Sequence, residues 1–129
     1  AELKLYDLGK IPYTFPDSSM DHAVCTGVMH FFDDLGVIFS ETSRIVRKGG
    51  VFGFIVANGT PDQRIVIDHE TSSNRETVVL YRHPRDRITS WLKTAGFTLT
   101  RDLLFTVFMD RERKLGFEAA AYLAAKKSD

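Results

Sequence analysis

The feature that most constrains the fold of this chain is a strand, a helix and a second strand joined by short connections. Residues 22–28 and 51–57 are nearly continuous apolar runs, which are typical of strands buried on both faces of a parallel sheet. Between them, apolar residues recur every three or four positions and predict an amphipathic helix that begins at Asp33 or Asp34. The periodic residues are Leu35, Ile38, Phe39, Thr42, Ile45 and Val46. Such a crossover requires a parallel strand pair, so we expect an α/β protein.

The end of this helix is predicted at Gly49-Gly50. Arg44, Arg47 and Lys48 would then lie in its last turn, where cations interact favourably with the helix dipole. Glycine is the residue that most readily adopts the left-handed conformation that stops a helix. The strand of residues 51–57 would follow at once.

The segments before and after this unit are shorter. Residues 2–7 alternate between apolar and polar side chains and predict a short strand, and a proline-rich loop follows it. Residues 58–74 are of mixed polarity, with one possible short element at 64–67. Pro84 suits the first turn of a helix that ends at Gly96. The apolar stripe of that helix consists of Ile88, Trp91, Leu92 and Ala95.

Two strands are predicted at the carboxyl end. Residues 99–109 and 116–125 are strand-like, and the charged residues 110–114 between them suit a hairpin turn. Because the connection is so short, these strands must be antiparallel. No linker or repeat divides the chain, so residues 1–129 are interpreted as a single domain.

Composition restricts the partners. Lysine plus arginine and aspartate plus glutamate number 17 each, so no net charge favours nucleic acid or an anionic membrane. No apolar stretch approaches the ~20 residues that span a bilayer, and the amino terminus does not resemble a signal peptide. The single cysteine, Cys25, cannot form an internal disulfide, which favours the reducing cytoplasm. The four histidines share no metal-ligand spacing, so no metal site is predicted.

Two motifs resemble a known family. Residues 15–30, FPDSSMDHAVCTGVMH, are similar to the "PF-PDxSFD" segment and fourth strand of class I S-adenosylmethionine-dependent methyltransferases. Residues 44–52, RIVRKGGVF, resemble the "R-V-L-K-P-G-G" stretch that leads into the fifth strand of that family. The final helix, the Ala95-Gly96-Phe97 junction and the hairpin follow the same order. The resemblance therefore implies a Rossmann-like sheet of parallel strands with helices and a carboxyl-terminal antiparallel hairpin.

This sequence departs from the family in what it lacks. The glycine-rich turn after the family's first strand, and the acid that binds the ribose hydroxyls, have no counterpart here. Gly49-Gly50 closes a predicted helix instead of opening one, so it is not a phosphate-binding type of loop. The resemblance implies that this chain is the carboxyl-terminal part of a methyltransferase fold and binds S-adenosylmethionine weakly or not at all by itself.

The resemblance assigns part of the cofactor site. Asp7 corresponds to an acid that accepts a hydrogen bond from the adenine amino group, and the backbone N–H of Leu8 would donate to the ring. An aspartate that starts a turn after a strand explains Asp7 equally well. Thr26, Gly27 and Val28 follow the central strand at the sheet edge where open α/β sheets bind ligands. Gly27 would let the backbone approach the sulfonium end of the cofactor.

Substrate contacts are less defined. His30 follows the central strand and is a candidate for binding substrate, although a surface histidine there is common. Tyr81 and His83 are further candidates, and for His83 we favour the simpler interpretation that it precedes the Pro84 helix. No catalytic residue is assigned, because displacement at an activated sulfonium needs mainly positioning and desolvation.

Two functions follow from these observations. The first is a methyltransferase acting on a small molecule, present here as an incomplete chain. The second is a non-catalytic binding or oligomerisation module derived from such an enzyme. In the family, the second and first strands lie between the third and the fourth, so their absence would leave the strand of residues 22–28 at an open edge. Open apolar edges pair with other chains, and we therefore expect a homodimer.

Overall fold

The predicted strand, helix and strand unit is present in the computed structural model, which describes residues 7–70, 75–110 and 115–128. The strands are β1 (Met20–Cys25), β2 (Val46–Ala57), β3 (Ile65–Glu70), β4 (Arg75–Leu80), β5 (Phe97–Asp110) and β6 (Leu115–Lys126). The helices are α1 (Gly36–Ile45) and α2 (Arg85–Ala95). β1 and β2 are parallel and α1 connects them, as the apolar pattern predicted.

One mixed sheet carries most of the fold. Its strand order is β1-β2-β6-β5, with β6 antiparallel to both β2 and β5. The α/β class and the carboxyl-terminal hairpin are therefore confirmed, while the predicted turn at 111–114 lies outside the described residues. No helix in the described ranges is both long enough and apolar enough to cross a membrane.

The prediction that residues 22–28 are buried on both faces is wrong. β1 lies at the edge of the sheet in the part of the chain that the structure describes, and the side chain of Val24 is 79% exposed. Its neighbours Ala23 and Cys25 point to the other face and pack against the core. Apolar residues on both faces of a strand do not ensure burial, because something must cover each face. Of the predicted strand at 2–7, only Asp7 falls within the described residues.

The predicted end of α1 is also wrong. α1 ends at Ile45. The residues after it, up to Gly49-Gly50, were predicted to form its last turn and its end, but they belong to β2 instead. Three residues of β1, from Met20 to His22, lie opposite the six residues from Val46 to Val51. Gly49 has φ 80°, and a Cβ on Gly50 would collide with the carbonyl oxygen of Asp21. The glycines therefore form an irregularity in the strand.

The last carbonyls of α1 are bound by a residue from the other end of the chain. The Lys126 Nζ lies 2.6 Å from the Ser43 carbonyl oxygen and 2.7 Å from that of Val46. A cation thus interacts with the carboxyl end of α1, but it comes from β6 and not from the helix itself. At the amino end α1 begins at Gly36 with Leu35 as its N-cap, slightly later than predicted, and Asp34 Oδ1 accepts a hydrogen bond from the Gly36 N–H at 2.8 Å.

Both helices pack on the same face of the sheet. Phe52 and Phe54 of β2 and Tyr122 of β6 are almost fully buried there, against Phe39 of α1 and Leu92 of α2. The Phe54 and Tyr122 rings stack with centroids 5.3 Å apart, and Phe39 meets Phe52 edge-on at 5.5 Å. The core is therefore a single layer between the sheet and two helices.

The carboxyl-terminal elements follow the prediction closely. α2 has Pro84 as its N-cap and Gly96, with φ 91°, as its C-cap, which confirms the expected helix. In contrast, the pair β3 and β4 was not predicted as a pair, although the segment 64–67 falls at the start of β3. These strands form a separate two-stranded antiparallel sheet, and they lie between β2 and α2 along the chain.

Candidate functional site

The predicted cofactor residues gather at the carboxyl end of β1. Thr26, Gly27 and Val28 follow Cys25 directly and lead into a short 3-10 turn, Met29–Phe31. Gly27 has φ 77°, a conformation that favours glycine, and a Cβ there would have no atom within 4 Å. The backbone beside the end of the strand is therefore open, and the predicted contact of Gly27 with the cofactor stays a prediction.

Asp7 and Leu8 approach the same end of the strand. Asp7 Oδ1 accepts a hydrogen bond from the Gly9 N–H at 2.9 Å. This contact fits the alternative that Asp7 starts a turn after a strand. Its predicted role at the adenine amino group stays a prediction. Leu8 lines a small apolar cavity of about 220 Å³ together with Cys25 and Met29. Burial raises the pKa of the Cys25 thiol, so this side chain is a neutral part of the wall.

A second cavity, here called the apolar cavity, adjoins Gly27. Its volume is about 280 Å³, and Gly27 and His30 line one end of it. The remaining walls come from the carboxyl end of β2 and from β5 and β6, through Ile55, Val56, Ala57, Phe105, Val107, Phe117 and Ala119. Apart from His30, the lining offers no polar side chain, so a ligand here would contact mainly apolar groups.

His30 and Tyr81, the two predicted substrate residues, are joined through their backbones. The Tyr81 N–H donates to the His30 carbonyl oxygen at 2.7 Å. The imidazole of His30 lies against Phe31 with ring centroids 4.3 Å apart, and partial burial lowers its pKa. At neutral pH His30 is therefore uncharged. Tyr81 is not among the described residues that line the apolar cavity.

His83 does not face a substrate. Its side chain is completely buried, edge-on to Trp91, with Nε2 3.3 Å from the Met29 carbonyl oxygen. Burial lowers the pKa of His83, and its Nδ1 has no hydrogen-bond partner among the described residues. The residue precedes the N-cap Pro84 as predicted, but its ring belongs to the core.

A third cavity was not predicted from the sequence. It follows the end of β2 and is lined by Asn58, Gly59, Thr60, Gln63, Arg82, Pro84, Arg85 and Glu118, and we call it the polar cavity. Its volume is about 580 Å³. The turn-forming residues 58–61 directly after a strand were the available signal, whereas Arg82 and Glu118 are brought there only by the tertiary fold.

The comparisons with known proteins agree with this architecture. Residues 2–54 match a family model described as a methyltransferase domain. Along 98% of this chain, the fold matches an S-adenosylmethionine-dependent methyltransferase from Methanosarcina mazei with a TM-score of 0.77 and 13% identity. The chain has the class I methyltransferase fold.

Two further structures with the methyltransferase fold are similar. A methyltransferase from Mesorhizobium loti matches 94% of this chain with a TM-score of 0.67 and 16% identity. The 1,6-didemethyltoxoflavin-N1-methyltransferase of Burkholderia thailandensis, with S-adenosylhomocysteine bound, matches 86% with a TM-score of 0.59 and 16% identity. The present chain spans 67% of the Methanosarcina and Mesorhizobium proteins and 45% of the Burkholderia enzyme. Among curated proteins, none matches this sequence.

Proposed function

We propose that this chain is the carboxyl-terminal part of an S-adenosylmethionine-dependent methyltransferase that acts on a small molecule. The observation that carries the proposal is the open backbone at Gly27, which lines the apolar cavity at the end of β1 in a chain with the methyltransferase fold. Residues outside these 129 would supply the remaining cofactor contacts, in line with the chain's share of the length of its structural neighbours.

Each predicted residue has a role that its position supports. S-adenosylmethionine supplies a methyl group already activated on a sulfonium. Asp7 and Leu8 would hold the adenine edge, and the exposed backbone of residues 26–28 would lie along the sulfonium end. The apolar cavity would receive the apolar part of the methyl acceptor, and neutral His30 would present a hydrogen-bonding nitrogen at its end.

A small-molecule acceptor is favoured over nucleic acid by charge and by size. The 17 acidic residues balance the 17 basic ones, so the chain carries no net cationic footprint for phosphates. The Burkholderia neighbour is named for a small heterocyclic acceptor, which is a property of that protein. For this chain, the apolar cavity of about 280 Å³ suits a small, largely apolar group.

A titration with S-adenosylhomocysteine followed by NMR tests this assignment. We expect weak binding, with the largest amide shifts at Leu8, Gly27 and Val28. Adenosine should move Leu8 without moving Gly27, because only the complete ligand reaches the end of β1. Absence of shifts at millimolar ligand would contradict the proposed cofactor contacts. Tight binding at micromolar ligand would instead contradict the view that the cofactor site is incomplete.

A second candidate, an oligomerisation module, is favoured by the exposed edge of the sheet. Val24 on β1 is 79% exposed, and Leu103 of β5 is 63% exposed. Strand edges with exposed apolar side chains pair readily with other chains. We propose that two copies associate along β1, which is compatible with either function. A cytoplasmic location rests only on the lone cysteine and stays a prediction.

A further inference from the structure

The polar cavity lies beside the apolar cavity but differs from it in chemistry. Ala57 and Phe117 line the apolar cavity, and the next residues along the chain, Asn58 and Glu118, line the polar one. Side chains of adjacent strand residues point to opposite faces, so the link between the two spaces is Arg82, which lines the polar cavity and lies over the ring of Phe117. A single ligand with an apolar part and a polar part could occupy both.

Arg82 is held in a fixed position on the wall of the polar cavity. Its Nε donates to the Gln63 carbonyl oxygen at 2.9 Å, and its Nη1 donates to that of Asn58 at 3.0 Å. The guanidinium carbon lies 5.1 Å from the centre of the Phe117 ring. In the described part of the chain, no carboxylate forms an ion pair with this half-buried cation. Such a guanidinium can still donate to an acidic group of a ligand.

The loop after β2 is shaped around Arg82. Gly59 has φ 145°, and a Cβ there would lie 2.6 Å from Arg82 Cδ and 2.8 Å from Gln63 Oε1. The Thr60 N–H donates to the same Gln63 oxygen at 3.1 Å, as one half of a capping box. Glycine is thus required both by the backbone angle and by the close approach of the arginine.

A carboxylate faces the same space. Glu118 is exposed and lines the polar cavity, and no ion pair joins it to Arg82 or Arg85. Arg85 is paired with Asp102, whose Oδ2 lies 2.8 Å from Arg85 Nε. Arg82 and Glu118 therefore remain as two opposite charges that line one cavity without neutralising each other directly.

We propose that the polar cavity binds an amino-acid-like group of the methyl acceptor. Its acidic group binds Arg82, its ammonium or N–H group donates to Glu118, and its apolar side chain extends past Phe117 into the apolar cavity. The binding site itself rests on the contacts around Arg82, whereas its description as the acceptor site rests on the proposed function.

Phenylalanine is a suitable probe because two analogues each lack one charge. We expect phenylalanine to bind the 129-residue chain about tenfold more tightly than either 3-phenylpropionate or phenethylamine, by NMR titration. R82Q should abolish the preference for phenylalanine over phenethylamine, which lacks the carboxylate. E118Q should abolish the preference for phenylalanine over 3-phenylpropionate, which lacks the ammonium group. R101Q, which removes an exposed arginine on β5, serves as the matched control and should change neither.

The design separates binding from folding. If R82Q disturbs the loop, then E118Q tests the site alone, since the contacts of Glu118 with Asn58 and with its β5 partner Thr106 run through its backbone and not its carboxylate. Equal binding of the three probes, or equal effects of R82Q and R101Q, would overturn the proposal. No adenosyl ligand is present in this test, so its failure leaves the S-adenosylhomocysteine result unaffected.

Discussion

The two faces of the main sheet are built from the same strands but have different environments. On one face Phe52 is 1% exposed, because α1 and α2 cover it. On the other face Leu103 and Leu123 are 63% and 42% exposed. The side chains alternate along each strand, so neighbours in sequence can have opposite surroundings. Burial here is decided by what packs on a face, and not by how apolar its residues are.

The covered face of the sheet contributes mainly to stability, and the open face contributes to the candidate site. The covered face holds the aromatic cluster that we expect to dominate the free energy of unfolding. The open face contributes Ile55 and Phe105 to the apolar cavity next to Gly27. A surface that another helix does not cover is available to a ligand or to another chain. Substitutions on the two faces should therefore have different consequences.

The largest expected effect comes from truncating the covered face. Phe52→Ala should lower the free energy of unfolding by about 3–5 kcal/mol, because it leaves a cavity among Phe39, Phe54 and Phe97. Leu103→Ala on the open face should change it by about 0.5 kcal/mol or less. Urea denaturation measures both. Similar losses for the two variants would mean that the open face is covered in solution.

A smaller but clear contrast is expected between two glycines of β2. Gly50→Ala should cost about 1–3 kcal/mol, since the new Cβ would collide with the Asp21 carbonyl oxygen. In Gly53→Ala the nearest atom would be Leu123 Cδ1 at 3.6 Å, an ordinary contact. Thermal unfolding of both variants tests this. A neutral Gly50→Ala would show that β1 and β2 can separate at this irregularity.

Acid should expose a difference between two histidines. Burial lowers the pKa of His83 below its usual 6.5 and outweighs the backbone hydrogen bonds at Met29 and Phe32, which oppose this. The unfolded chain then binds the proton more readily, so stability is complete above pH ~6.5 and falls as the pH drops below it. His83→Leu should remove much of the loss between pH 7 and 5, measured by urea denaturation at each pH.

His30 provides the control for this prediction. Its pKa is lowered by burial as well, but it is only partly buried, beside the apolar cavity. His30→Gln should therefore reduce the acid dependence less than His83→Leu does. If both variants retain the full loss of stability between pH 7 and 5, carboxylates and not buried histidines cause it.

The smallest effect on stability is expected at the exposed edge. Val24→Lys should leave the free energy of unfolding within about 0.5 kcal/mol, because the side chain is 79% exposed. It should nevertheless convert a dimer to a monomer, since a lysine on an edge strand opposes pairing. Val66→Lys, on exposed β3, is the control and should remain dimeric. Size-exclusion chromatography with light scattering measures the oligomeric state of each variant. A parent chain that is monomeric at all concentrations would contradict the proposed association.

Local patterns in the sequence were sufficient for the elements whose causes are local. The three-to-four spacing predicted α1, and Pro84 with Gly96 predicted both ends of α2. The apolar runs predicted the parallel pair β1 and β2, and the short connection predicted an antiparallel β5 and β6. Gly27 could be singled out because ligands bind where parallel strands end.

Other features depended on residues far apart in the chain. The end of α1 is set by the packing of Gly50 on Asp21 and by Lys126, which no pattern around residue 45 reveals. The exposure of Val24 depends on which face α1 and α2 cover, and the polar cavity depends on bringing Arg82 and Glu118 to the end of β2. Periodicity specifies which side chains share a face, but only the tertiary structure decides what each face meets.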